Sequence, residues 1–198
     1  MHPALKSLFL ILPLTALAGC VAPTGPVEVT RFHLADTAML RGTVAVEAAP
    51  GMDGGSIELR TFQVAVGNAL ERAGYRQDGA GAQVAEVRLT RRTYQPERNR
   101  SPVSVGLGGS AGSYGSGVGV GVGIDLSGKP AAMTETTLGV MIRDRATRQV
   151  VWEGRALFTV RADSPLAATA LASAEMARAL FADFPGRSGE TVLVKAGQ

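Results

Sequence analysis

Thr134-Glu135-Thr136-Thr137-Leu138-Gly139-Val140-Met141-Ile142-Arg143 is followed by the polar hexapeptide Asp144-Arg145-Ala146-Thr147-Arg148-Gln149 and then by Val150-Val151-Trp152-Glu153-Gly154-Arg155-Ala156-Leu157-Phe158-Thr159-Val160. Leu138, Val140 and Ile142 fall on every second position of the first run. Trp152, Ala156, Phe158 and Val160 share one face of the second, with Gly154 between them. A period of two is the signature of a half-buried strand, so strands over 134–143 and 149–160 joined by a polar turn make a β-hairpin.

The segments around this hairpin add strands and two helices. Upstream, Gln83 to Tyr94 sends Ala85, Val87 and Leu89 one way and Glu86, Arg88, Thr90 and Arg92 the other. Val29 to Leu34 and Gly42 to Ala48 are further strand-like runs. After the loop at Pro50–Gly55, Ser56 is a helix N-cap whose hydroxyl accepts a free backbone N–H. Leu59, Phe62, Val66, Leu70 and Ala73 then recur at helical spacing, and Gly74 ends the helix. Downstream, Ser164-Pro165 has the form of a helix start, a capping residue before proline at the first turn. Leu166, Ala170, Ala174, Ala177, Leu180, Phe181 and Phe184 mark its apolar stripe, Pro185-Gly186 ends it, and Glu190 to Lys195 is a last short strand. Hairpins mixed with two amphipathic helices predict an α+β fold, one mainly antiparallel sheet with both helices on one face.

Residues 101–128 are a glycine-rich insertion into that plan, with ten of the 25 glycines and one charge, Asp125. Gly117 to Ile124 alternates glycine with Val118, Val120, Val122 and Ile124, and Val103, Val105 and Leu107 do the same upstream. The two runs read as a ribbon joined by a loop over 108–116, or as a flexible insertion, since ordering glycine is entropically costly.

The first twenty residues concern destination rather than fold. Lys6 precedes an apolar run from Leu8 to Leu14, too short to span a bilayer, and then Leu17-Ala18-Gly19-Cys20. This tetrapeptide resembles the lipobox of bacterial lipoproteins, in which the cysteine after the cut receives a diacylglycerol group. Cys20 is the sole cysteine, so acylation uses a thiol that has no disulfide partner in the chain. The expected organisation is a signal peptide over 1–19, a lipidated tether over 20–28 and a single domain over 29–198. Removing 1–19 from 198 residues leaves 179, enough for one core without disulfides. The formal net charge of +3 includes Lys6 and is too mild for a nucleic-acid binder.

The lipobox and three further motifs resemble the bacterial lipoproteins grouped as the DUF4136 (domain of unknown function) family. The three are Ala73-Gly74-Tyr75, Val151-Trp152-Glu153-Gly154-Arg155-Ala156 and Leu180-Phe181-Ala182-Asp183-Phe184-Pro185-Gly186. The resemblance implies an envelope lipoprotein of unknown activity and transfers no catalytic residue. Val21 after the lipidated cysteine, where aspartate signals inner-membrane retention in enteric bacteria, implies the outer membrane, facing the periplasm.

The sequence offers little catalytic chemistry. His33 is the sole histidine after the leader, no Gly-x-Ser-x-Gly elbow is present, and the 17 carboxylates are scattered without calcium-loop spacing. No metal site and no cofactor is expected. Arg88, Arg91, Arg92, Arg98 and Arg100 cluster, as do Arg143, Arg145 and Arg148. Arg88 and Arg92 share the polar strand face and are the candidate ligand-binding residues, since a guanidinium forks onto phosphate; the plainer reading is a solvated face. Three functions stay open: a non-catalytic binding or scaffold module with an envelope protein or anionic lipid as partner, a hydrolase of cell-wall or lipid material using a spatial carboxylate pair, and a self-assembling component using the ribbon. The anchor is directly testable. Cys20→Ala should abolish incorporation of labelled fatty acid and release the domain from membranes; a variant that still labels and pellets would refute it.

Overall fold

The computed structural model describes residues 25–35, 41–97, 103–112, 115–124 and 130–197. The signal peptide, Cys20, Arg98 and Arg100 lie outside them. The strands are β1 (Val27–His33), β2 (Gly42–Ala48), β3 (Tyr75–Gln77), β4 (Gln83–Tyr94), β5 (Val103–Gly112), β6 (Gly115–Ile124), β7 (Met133–Asp144), β8 (Val150–Arg161) and β9 (Thr191–Val194). The helices are α1 (Ile57–Arg72) and α2 (Thr169–Leu180). β1 begins at Val27, two residues inside the stretch expected to be tether.

Seven strands form one mixed sheet in the order β3-β2-β4-β7-β8-β1-β9. From β4 to β9 each neighbour is antiparallel, whereas β2 runs parallel to both β3 and β4. The parallel pairings qualify the expectation of a mainly antiparallel sheet. They arise because α1 carries the chain back over the sheet between β2 and β3, the connection that parallel neighbours require. β5 and β6 pair with each other as a separate two-stranded sheet, aligning Val105 with Val122 and Leu107 with Val120. Pairing there extends through Gly112 and Gly115, well into the segment read as loop.

Both helices cover one face of the large sheet. Leu59, Phe62, Val66 and Leu70 of α1 join Val44, Ala85, Val87, Leu138, Val140 and Ile142 in a single core. α1 is closed locally at both ends. The Ser56 hydroxyl accepts the Leu59 N–H at 3.3 Å, and Gly74 turns the chain at φ +99°, where a Cβ would be strained.

α2 departs from its expected form. Ser164 caps only a single 3₁₀ turn, Pro165–Ala167, and Ala168 is extended. The α-helix starts at Thr169 because Arg91 of β4 takes the Ala167 carbonyl and the Thr169 hydroxyl. At the other end Arg31 of β1, itself buried, donates to the carbonyls of Ala179 (2.8 Å) and Leu180 (2.9 Å). These are end-of-helix acceptors past the regular ladder, and the Ala179 carbonyl also accepts the Ala182 N–H at 3.3 Å. Burial pulls the Arg31 guanidinium below its ordinary range, opposed by the charges of Asp183 and Glu190. The buried face is Ala172, Met176, Ala177, Ala179 and Leu180, while Ala170 and Ala174 of the expected stripe are exposed. In so alanine-rich a helix several registers look equally apolar, and Met176 with Leu180 selects the one used.

Phe181 and Phe184 follow the helix and clamp Trp152, with ring centroids 5.1 and 5.3 Å away. The indole N–H donates to the Pro185 carbonyl at 3.1 Å. The indole lies over Gly154, where an added Cβ would fall within 2.9 Å of Leu180 and closer still to the ring. Gly154 is thus the space into which Trp152 folds. Trp152→Ala should cost about 3–5 kcal/mol, as other large-to-small core changes do. Thermal unfolding checks this, and an unchanged midpoint would place Trp152 outside the core.

Candidate functional site

The sheet face opposite the helices is built from the polar half of each strand's alternation. Cross-strand register turns that half into rows. One row is Glu86, Met141, Glu153 and Phe32, on β4, β7, β8 and β1. The next is Arg88, Gly139 and Arg155. Because Gly139 has no side chain, the second row dips at its centre and leaves a groove of about 340 Å³ between the two arginines. Neighbouring strands lie about 4.8 Å apart, so the two arginine backbones stand about 10 Å from each other.

The arginines differ in what they already hold. Arg88 donates to the Pro50 carbonyl at 3.1 Å and has no carboxylate partner among the described residues. The Arg155 side chain makes no hydrogen bond among the described residues, although its charge reaches Glu135. Arg92, the other candidate, is engaged and lies outside the groove. It binds Glu135 at 2.8 Å and sits over the Tyr94 ring. The hydrogen bond from Arg92 holds the Glu135 carboxyl below its usual range. Arg91 points to the helix side and joins Glu58 to Thr169, tying α1, β4 and α2 together.

Two of the hairpin arginines are also committed. Arg143 pairs with Glu86 at 3.2 Å, and Arg145 with Glu47 at 3.1 Å. Arg148 sits in the turn at φ +63°. Asp144 organises that turn by accepting the Thr147 N–H at 2.8 Å and its hydroxyl at 2.9 Å. The Thr147 backbone hydrogen bond is the main influence keeping the Asp144 carboxyl below its ordinary range.

The groove therefore carries two arginines in one row and two carboxylates in the next. Glu86 is occupied by Arg143, whereas the Glu153 carboxylate has no hydrogen bond or ion pair among the described residues. Arg155 was invisible as a site residue because its place opposite Arg88 exists only through the β4–β7–β8 register. His33 is structural: its ring nitrogens lie 2.7 Å from the Leu34 carbonyl and 3.1 Å from that of Gly186. A second cleft, about 590 Å³, flanks β9, but its Arg31 is spent on α2. Among the described residues, no group of three or more His, Cys, Asp or Glu is placed to hold a metal. No described helix is long and apolar enough to cross a membrane.

These features define an α+β domain with a helical layer on one sheet face and a charge-lined groove on the other. The chain belongs to the DUF4136 family, a domain of unknown function, whose model matches residues 46–186. It is similar to an uncharacterized protein of Zymomonas mobilis, with 39% identity over 61 residues. That match spans 31% of this chain and only 23% of the relative. Among solved structures, a PDZ domain protein from Parabacteroides distasonis aligns at TM-score 0.49 and 13% identity, over 86% of this chain and 39% of that one. The PelC dodecamer from Paraburkholderia phytofirmans aligns at TM-score 0.41 and 12% identity, over 82% and 99%.

Proposed function

We propose that the chain is a lipid-anchored envelope lipoprotein whose domain binds an anionic ligand without transforming it. The anchor is Cys20, the destination is the outer membrane facing the periplasm, and both rest on the lipobox-like Leu17-Ala18-Gly19-Cys20 followed by Val21. The observation that carries the binding role is the pair Arg88 and Arg155 across Gly139, two guanidiniums with no ion pair to a described carboxylate. Guanidinium forks grip phosphate or carboxylate oxygens through charge-assisted hydrogen bonds.

A second reading, hydrolysis of cell-wall or lipid material, is favoured by one observation: Glu86 and Glu153 line the same groove. Against it, Arg143 already engages Glu86, which leaves Glu153 without a second free carboxylate in the groove. A lone acid facing a lone base, the arrangement that hydrolysis by paired carboxylates uses, does not result.

Titration of the full-length chain with inorganic phosphate at low ionic strength tests the binding role. Arg88→Gln and Arg155→Gln should each weaken binding about tenfold, equivalent to about 1.4 kcal/mol. Arg92→Gln, which removes a cation outside the groove, should leave it unchanged. Equal loss in all three variants would reduce the effect to general surface charge.

A further inference from the structure

Building on that anion-binding reading, we infer that the groove accepts a zwitterionic phospholipid headgroup of the phosphoethanolamine type, its phosphate between Arg88 and Arg155 and its ammonium on Glu153. The argument starts from the rows. Glu153 and Arg155 lie two residues apart on β8 and face the same side of the sheet, an axial step of about 6.7 Å. A cation site and an anion site thus stand side by side, at the scale of a phosphate and an ammonium joined by a short carbon spacer. An anion alone would use half the groove and leave the Glu153 charge beside it uncompensated. A zwitterion answers both rows.

Four further observations narrow the ligand. Among the described residues the groove itself holds no aromatic ring, and Phe32, on the next strand beside Glu153, offers one face and not a cage. A quaternary ammonium is recognised by aromatic faces, whereas a primary ammonium presents three N–H donors suited to a carboxylate. This favours ethanolamine over choline. At about 340 Å³ the groove lies near the small end of ligand sites, sized for a headgroup and not for acyl chains. Two exposed apolar side chains lie on the same face beyond it: Phe32, aligned with Glu153, is 53% exposed, and Leu193 on β9, paired with Glu28, is 67% exposed. Glu86 is left to Arg143, so Glu153 is the carboxylate available to the ammonium.

The test uses the full-length chain in neutral detergent, titrated calorimetrically with glycerophosphoethanolamine, glycerophosphoglycerol and inorganic phosphate. Glycerophosphoethanolamine should bind at least tenfold more tightly than the other two. Glu153→Gln should erase that preference while leaving phosphate binding intact, and Arg155→Gln should weaken all three probes. Micelles doped with phosphatidylethanolamine should displace the soluble headgroup, and micelles doped with phosphatidylglycerol should not. If the three probes bind alike and Glu153→Gln changes nothing, the zwitterion assignment is wrong and the anion-binding reading stands. If none binds, both are wrong. If the preference exists but doped micelles do not compete, the lipid source is overturned.

Discussion

The overlap of the Trp152 indole with Gly154 is the contact on which the arrangement of the domain depends. A large flat ring placed along its own strand needs a neighbour two residues on that has no side chain, and β8 supplies one. The ring then presents its face to Phe181 and Phe184 and its N–H to Pro185. The chain leaving α2 is thereby held against the sheet by aromatic stacking and one hydrogen bond. Arg31 fixes the same region from β1 by capping α2, so two strands and the helix end form one unit.

Glycine shapes the opposite face by the same logic with a different result. At Gly154 the missing side chain is filled from within the protein. At Gly139 it is left open toward solvent, where an added Cβ would meet only Arg88 at ordinary contact distance. One glycine permits a packed core and the other a groove, and they lie on adjacent strands, with Gly154 paired to Val140, the residue next to Gly139.

Much of this was legible in the sequence where a local rule decides the outcome. The hairpin of β7 and β8 follows from strict alternation, and α1 from its cap, its apolar spacing and its terminal glycine. What escaped depends on partners far along the chain. The break at Ala168 is imposed by Arg91, and the end of α2 by Arg31, neither of which the helix sequence contains. The parallel placement of β2 depends on where α1 returns the chain, and its own residues carry no mark of it. Arg88 was recognisable as an exposed cation, but Arg155 becomes its counterpart only through register. Arg92 looked equivalent to Arg88, and it is the cross-strand Glu135 that separates them.

The position of β1 has a consequence for the order of assembly. Its two neighbours are β8 and β9, which lie more than a hundred residues later in the chain. The first described strand therefore waits for its partners, and until residues 150–194 arrive its backbone donors and acceptors have only water or a foreign strand to bond. Closing so long a loop is entropically slow compared with forming the adjacent β7–β8 hairpin. The hairpin is thus the natural template, and β1 must add to β8 before the edge strand β9, which pairs with β1, can join the sheet.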